Sequence, residues 1–469
     1  MSDHSSPSLS SLLGPTGRGI CSALKAAAEF LRARDVGTLL QATGKTLGEI
    51  PRAKHLDKRF LQASYRGDES LPPDDLLTGQ GLFFLTEQRK LFLDCTAGHY
   101  QMTWGYRHPE LETVLREGLD AGLVWDDHSD MPGNAVKMLS QRLVEAANGA
   151  LRDLAPLLAD DHALATVLLG ICTGSVAGSS ALKIALRHHE TVRPGAAPVL
   201  IALRGNYHGT DFLTQRMRGM WPDYFRGITF VQIEPNDQRR LQQAFAKHHG
   251  RVAAMFVEPI LMNREAIRLE EGFLREARRL CDGADACLVI DEIQTGFWCP
   301  EVFMYHQYGI LPDIVMLGKG MTAGVHPLSA VIYRRRYDRL AQYDAISTNG
   351  GAPLAALAGL CCLALLARDQ KRIAALAKHY FHLLEELPVL WPARVAAIHG
   401  GGFLAGIKFH AVADALEFHR RCVDRGLWVR VHACQEGHST VLTKLALAAD
   451  RQIVDFVSDT FRQILGEMA

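Results

Sequence analysis

The chain has ten cysteines but no Cys-X-X-Cys pair among its 469 residues. Cys361 and Cys362 adjoin inside an apolar run, the setting of buried thiols and not of a disulfide framework. A reducing compartment fits this usage, and a cytoplasmic location is expected. The first ten residues carry Ser and Pro but no apolar core, so no secretory signal is read there. No apolar run is read as long enough to span a bilayer, so no membrane partner is expected. The twenty histidines include no His-Glu-X-X-His, and no metal is expected. Neither sign of charge prevails, with Lys plus Arg and Asp plus Glu at 51 each. That removes the electrostatic argument for a nucleic-acid partner.

What is present is an ordinary soluble composition, 48% hydrophobic and 22% charged, on a chain too long for one simple core. From about residue 130 to 350, helical stretches alternate with short apolar runs, as the βα units of a mostly parallel sheet do. The runs are Ala165 to Ile171, Val199 to Leu203, Ile228 to Ile233, Ala253 to Val257, Cys287 to Ile290, Ile314 to Leu317 and Leu328 to Ile332. Polar groups follow several of them: Thr173-Gly174-Ser175, Asn206-Tyr207-His208-Gly209, Glu258, Asp291-Glu292 and Gly318-Lys319-Gly320. In open parallel sheets ligands sit outside the carboxyl ends of the strands, so these endings converge on one edge.

Each ending has more than one reading by itself. A lysine after the buried run Ile314 to Leu317 is a solvated strand end, a phosphate contact or a Schiff-base nucleophile. Thr173 to Ser175 ahead of a helix is an ordinary cap or a phosphate seat. Asp291, ending the most apolar strand, needs a cation or strong donors, either an arginine or a protonated pyridine nitrogen. Tyr207 offers a flat face for an aromatic ring. Phosphate, ring, ring nitrogen and aldehyde together describe pyridoxal 5′-phosphate.

The segment Leu288-Val289-Ile290-Asp291-Glu292-Ile293-Gln294-Thr295-Gly296-Phe297, with Pro312-Asp313-Ile314 and Gly318-Lys319-Gly320, resembles the signature of the class III, ornithine aminotransferase-like, pyridoxal-phosphate enzymes of fold type I. The resemblance runs from about Phe83 to the C-terminus. It implies a large domain with a seven-stranded, mostly parallel sheet flanked by helices, and a smaller α+β domain from both terminal segments. The divisions expected are an extension at 1–55, partly disordered and then helical; the first part of the small domain at 56–130; the cofactor domain at 131–355; and the rest of the small domain at 356–469. The resemblance gives Lys319 the bond to the cofactor aldehyde, Asp291 the pyridine nitrogen, Gln294 the ring hydroxyl with Glu258 nearby, and Tyr207 the stacking face with His208 beside it. Gly174, Ser175 and Val176 would hold the phosphate. Thr348, in Thr348-Asn349-Gly350-Gly351, would reach the phosphate of a neighbouring subunit, which implies a homodimer. Tyr100, Trp104 and Trp298 would line the substrate pocket.

The activity implied is amino transfer between a small amine or amino acid and an oxo acid, by a ping-pong cycle through pyridoxamine phosphate. An isomerase on the same scaffold is the alternative, with a decarboxylase or a non-catalytic cofactor binder further behind. Three stretches depart from the family pattern. Val176-Ala177-Gly178-Ser179 follows the phosphate loop, and Trp298-Cys299-Pro300-Glu301 follows Thr295-Gly296-Phe297. In the alignment Thr443 stands where many members have an arginine for the substrate carboxylate, with Lys444 one residue away. A threonine cannot supply a charged, bidentate contact, so pairing with glutamate and 2-oxoglutarate is not implied.

Overall fold

The structure is a computed structural model that describes residues 6–53, 56–62, 74–127, 131–149, 154–348, 350–432 and 434–468. The sequence leaves residues 1 to 18 without order, and the structure differs from Ser8 onward. Ser8 and Ser11 cap each other at the start of a turn of helix, Leu9–Leu12, and the helix Gly17–Arg32 follows directly. Residues 1–5 lie outside the described part. The amphipathic pattern from Ile20 to Leu40 resolves into two helices, the second being Val36–Ala42, whose cap Asp35 accepts from the Thr38 amide at 2.8 Å.

Three short strands come next, β1 (Leu76–Gln80), β2 (Phe83–Thr86) and β3 (Leu91–Asp94), in an antiparallel meander. The turn from β2 to β3 falls on Glu87 to Lys90, a polar run between two apolar ones. The helices Pro109–Asp120 and Asn134–Ala147 then lead to β4 (Leu164–Leu168), which opens the main sheet. Its further strands are β5 (Val199–Leu203), β6 (Thr229–Ile233) and β7 (Val252–Val257). A small hairpin, β8 (Ile260–Leu261) and β9 (Ile267–Arg268), interrupts before β10 (Cys287–Asp291), β11 (Ile314–Leu317) and β12 (Ala330–Arg334). The seven strands lie in the order β4-β12-β11-β10-β7-β5-β6, parallel except for β12, which runs against both neighbours. The central strands β7, β10 and β11 are buried throughout, which is why they read as unbroken apolar runs and not as alternating ones.

Strand β11 is anchored at its start. Asp313 is wholly buried, accepts from the Leu288 amide at 2.8 Å, and is ringed by Arg278 at 2.8 Å, Arg334 at 3.3 Å and Arg336 at 3.6 Å. Both ends of this strand carry charge, and at this end three guanidiniums hold it.

The two helices expected at Leu354 to Leu366 and Arg372 to Leu387 are one helix, Pro353–Glu385. The polar stretch Arg368 to Lys371 between them contains no breaker, so nothing stops the first before the second begins. Continued to Leu390, this helix is long and apolar enough to cross a bilayer, contrary to the reading of the sequence. Half of its apolar window is buried, packed on the helices Pro109–Asp120, Asn134–Ala147 and Arg451–Met468, which makes it a core helix of this fold.

Beyond it come β13 (Val395–Gly401), β14 (Leu404–Phe409), β15 (Leu427–Trp428), β16 (Arg430–Val431) and β17 (Thr440–Lys444). Strands β13-β14-β17-β16 form a sheet of their own, whereas β15 joins the early meander, with Leu427 opposite Leu93. The beginning and the end of the chain therefore meet beside the carboxyl edge of the main sheet.

Candidate active site

Lys319 follows β11 after the single residue Gly318. It starts a short 3₁₀ turn, Lys319–Thr322, with φ of 41°. The glycine after it has a steric cause: a Cβ on Gly320 would lie 2.4 Å from Thr103 Cγ2, and the Thr103 hydroxyl donates to the Gly320 carbonyl at 2.9 Å. The lysine is half-buried, with its Nζ 5.2 Å from the centre of the Tyr100 ring and 5.9 Å from that of Tyr207. Burial pulls the amine down to about 8, against the opposing charges of Asp291 and Glu258 and with the help of Arg430. It lines a cavity of about 370 Å³ together with Tyr207 and Gln294 on one side and Tyr100, His99 and Arg430 on the other.

The acids expected around this lysine are there. Asp291 is buried; its Oδ2 lies 2.8 Å from His208 Nδ1 and its Oδ1 accepts from the Ile293 amide at 2.9 Å. Burial alone would lower the His208 imidazole, but its hydrogen bond to Asp291 and the charges of Glu258 and Asp291 carry it upward. Glu258 accepts from the Tyr207 amide at 3.0 Å, and burial raises its carboxyl to about 7. Gln294 donates to Asn263 Oδ1 at 3.2 Å.

Gly174, Ser175 and Val176 begin the helix Gly174–Val192 behind the extended cap Thr173. Its first intrahelical bond is Ala177 N–H to Thr173 O at 3.0 Å, so the three amides before it are the unsatisfied donors every helix start presents. The Val176 side chain itself packs on the apolar core beneath the sheet. Ser175 Oγ accepts from the Thr210 amide at 2.9 Å, which ties the helix start to the Asn206–Thr210 loop. Gly209 makes this possible at φ of 122°, where a Cβ would meet Ser175 Cα at 2.7 Å.

Other expected residues lie elsewhere. Trp104 is buried in the core against His108, and Trp298 is buried against Gly320; neither lines the cavity. Both are large apolar rings that the sequence cannot distinguish from pocket walls. Thr348 is exposed beside Cys172, whose Sγ lies 3.8 Å from its carbonyl, and outside the Lys319 cavity of its own chain. Asn349 lies outside the described residues.

Tyr100 does line the cavity, from an unusual backbone. Ala97, Gly98, His99 and Tyr100 all have positive φ, between 47° and 73°, a single left-handed turn. Three of these residues are not glycine, and such conformations cost roughly 1–3 kcal/mol each.

Neither Thr443 nor Lys444 lines the cavity. In β17 the side chains alternate. Thr443 turns away to Tyr380, with 2.6 Å between the hydroxyls, while Lys444 lies on the other side of the strand, outside the lining of the cavity, with its Nζ 3.2 Å from the Tyr100 ring centre. Lys444 is wholly buried and its amine has no hydrogen-bond partner among the described residues. Burial, with Arg430 and Lys319 nearby, drives its pKa far below the usual lysine range. Arg430, Arg218, Asn263 and His432, which no motif announced, also reach this cavity.

The residues present fit pyridoxal 5′-phosphate. The lysine amine and the Tyr207 ring line the cavity, the Asp291 carboxylate lies close enough to act on the charge of Lys319, and the amides of Gly174 to Val176 start the helix that Ser175 ties to the loop carrying Tyr207. Glu258 Oε1 and Gln294 Oε1 are buried polar atoms there with no hydrogen-bond partner among the described residues.

Comparison with known proteins agrees. The profile of the family described as Aminotransferase class-III matches residues 74–465. An acetylornithine aminotransferase of Synechocystis sp. is 26% identical over 373 residues, covering 76% of this chain and 81% of that protein. An omega-aminotransferase of Caulobacter vibrioides is 24% identical over 438 residues, covering 84% and 94%. Among solved structures, the N-acetylornithine aminotransferase of Stenotrophomonas maltophilia is 25% identical with a TM-score of 0.67, covering 85% of this chain and 97% of that one. An ornithine aminotransferase of Toxoplasma gondii with pyridoxal phosphate in partial occupancy at its active site shares the fold, with a TM-score of 0.72 at 24% identity over 88% and 92% of the two chains.

Proposed function

Because the chain belongs to the class III aminotransferases, we propose that it moves amino groups between an amino compound and an oxo acid with pyridoxal 5′-phosphate bonded to Lys319. The observation that carries this is the placement of Lys319 and Tyr207 in one cavity with Asp291 near enough to act on the lysine's charge. Bound there, the cofactor supplies a ring that takes up the negative charge left when a proton leaves the substrate's amine-bearing carbon.

The protein's share is positional and electrostatic. Asp291, fixed by His208 and the Ile293 amide, keeps a proton on the ring nitrogen and so keeps the ring electron-poor. Tyr207 covers one ring face, held through its amide by Glu258. The amides of Gly174, Ser175 and Val176 receive the phosphate at the helix start. Lys319 takes and returns the proton through Nζ, an amine whose pKa of about 8 suits both directions near neutrality. Thr348, exposed and outside its own cavity, extends to the phosphate of a second copy in a homodimer, and the enzyme works in the cytoplasm.

The test is spectroscopic. Supplied with cofactor, the wild type is expected to show a visible band that borohydride fixes to the peptide carrying Lys319, and Lys319→Ala is expected to lack it. An amino donor should discharge the band and leave pyridoxamine phosphate and the matching oxo acid in equal amounts. A wild type without the band, or one that consumes donor without oxo product, sinks the reading.

A further inference from the structure

Asp94 is a buried carboxylate that the chemistry at Lys319 does not use. It closes β3 at 2% exposure. Its Oδ1 accepts from the Thr96 amide and the Thr96 hydroxyl, each at 2.7 Å. Its Oδ2 accepts from the Gly98 amide at 2.8 Å and from the Tyr106 hydroxyl at 2.9 Å. Burial and the Asp94 charge push the Tyr106 phenol upward, so it stays protonated and donates. None of these donors is a cation. A carboxylate buried on neutral donors is costly to place, and its four bonds use the lone pairs it has.

The bonds fall on the segment of the site whose backbone is most strained. Thr96 caps the turn Ala97–Tyr100, and Gly98 is its second residue. In this left-handed turn φ runs from 47° at Ala97 to 73° at Tyr100. A run of four such residues, three of them with side chains, does not hold itself in that region. Its entry is pinned from two other strands. The Cys95 amide donates to the Trp428 carbonyl at 2.9 Å, and the Cys95 carbonyl accepts from the Lys444 amide at 2.6 Å. Those bonds fix where the turn starts, and the Asp94 carboxylate fixes how it winds. What the turn delivers is Tyr100. Its ring is 1% exposed, lines the cavity and stands 5.2 Å from Lys319 Nζ.

Resting on the function proposed above, we infer that Asp94 is a positioning residue of the Lys319 site: through the Thr96 and Gly98 amides it holds the left-handed turn, and the turn holds the Tyr100 ring beside the amine that bonds the cofactor. Asp94 itself touches neither cofactor nor substrate. The ring is one of the surfaces that keep water from the amine. Around that amine stand Asp291, Glu258 and Arg430, the Tyr207 ring, and His99, which burial lowers to about 3 and so keeps neutral. Lys444 lies on the same Tyr100 ring, driven by burial toward its neutral form. Burial is the largest of the influences on Lys319 and acts downward. A relaxed turn lets water in, and the amine moves back up. Loss of the Asp94 charge alone acts the other way, because removing an anion lowers a neighbouring amine. The sign of the change therefore separates positioning from plain electrostatics.

The test follows the visible band as pyridoxal 5′-phosphate is supplied to cofactor-free protein, and reads the pH at which the rate of capture levels off. In the wild type that point is expected near 8. Asp94→Asn keeps the size of the side chain but turns one accepting oxygen into an N–H donor. Its levelling point should rise by about one pH unit or more, with capture at pH 7 slowed about tenfold. Tyr100→Ala should raise the point by a similar amount. The two changes together should raise it no further than either alone, as for residues that act through one contact. Gly98→Ala breaks the turn without touching Asp94, since φ there is 53° and a Cβ would lie 2.5 Å from Met102 Cγ. It should give the same rise, and it decides the matter if Asp94→Asn does not fold. A levelling point that stays near 8 or falls in Asp94→Asn, or in Gly98→Ala standing in for it, overturns the inference. So do effects of Asp94→Asn and Tyr100→Ala that simply add. In each of these outcomes the band still forms and the function proposed above stands, whereas a wild type without the band overturns both.

Discussion

Two neighbourhoods of Lys319 treat charge in opposite ways. On the cofactor side each acid has at least one assigned donor: Asp291 has His208 and the Ile293 amide, and Glu258 has the Tyr207 amide at one oxygen. Behind Tyr100, Lys444 is sealed in with an aromatic ring and no hydrogen-bond partner among the described residues. The difference separates two states. Asp291, which would tune a resident cofactor, has to keep its charge, so the fold supplies its partners. The Lys444 amine is given none, and burial instead drives its pKa far below the usual lysine range, toward the neutral form.

Breaking the paired face should have the largest effect. Asp291→Asn keeps the shape but removes the charge opposite the ring nitrogen and leaves His208 without its anion. Turnover with a fixed donor should fall about a thousandfold, by analogy with the loss of other preorganised electrostatic groups, while cofactor stays bound by absorbance.

The smallest effect is expected in cofactor capture. With an amine at about 8, roughly a tenth of Lys319 is neutral at pH 7, against a few parts in ten thousand for an unshifted lysine. The rate at which the visible band forms in cofactor-free protein should climb with pH and level off near 8. A climb that continues toward 10 would show that the amine is not lowered.

Much of the paired face was legible because its residues sit at strand ends. An apolar run that stops at Asp291, at Glu258 or at Gly318-Lys319-Gly320 announces both the strand and the edge, and the order of the chain does the rest. The unpaired face has no such grammar. Arg430 and His432 come from a short strand and the loop after it, Arg218 from the end of a helix, and only the meeting of β16 and β17 with the main sheet's edge brings them to Lys319. Thr443 stands at the aligned substrate position because alignment counts residues, whereas alternation along the strand turns it to Tyr380 and its neighbour to Tyr100. Trp104 and Trp298 went astray differently: a large ring near the site serves packing or binding equally well until its neighbours are known. The fused helix Pro353–Glu385 shows that a polar interval without Gly or Pro is no boundary.

That alternation rests on a small contact. The Tyr380 and Thr443 hydroxyls, both wholly buried, meet at 2.6 Å on the far side of β17. Opposite them on β14, Ala405 pairs with Thr443 and Leu404 with Lys444. If β17 slipped by one residue, every side chain on it would change faces and a hydroxyl would replace the amine over Tyr100. The pair of hydroxyls thus acts as a latch on register. A single insertion or deletion ahead of Thr440 that shifted the strand would place a hydroxyl where the buried amine now packs on Tyr100, without changing one cavity-lining residue in the sequence. Loop length, where sequence change is tolerated most easily, is therefore one control on what stands behind the cavity wall.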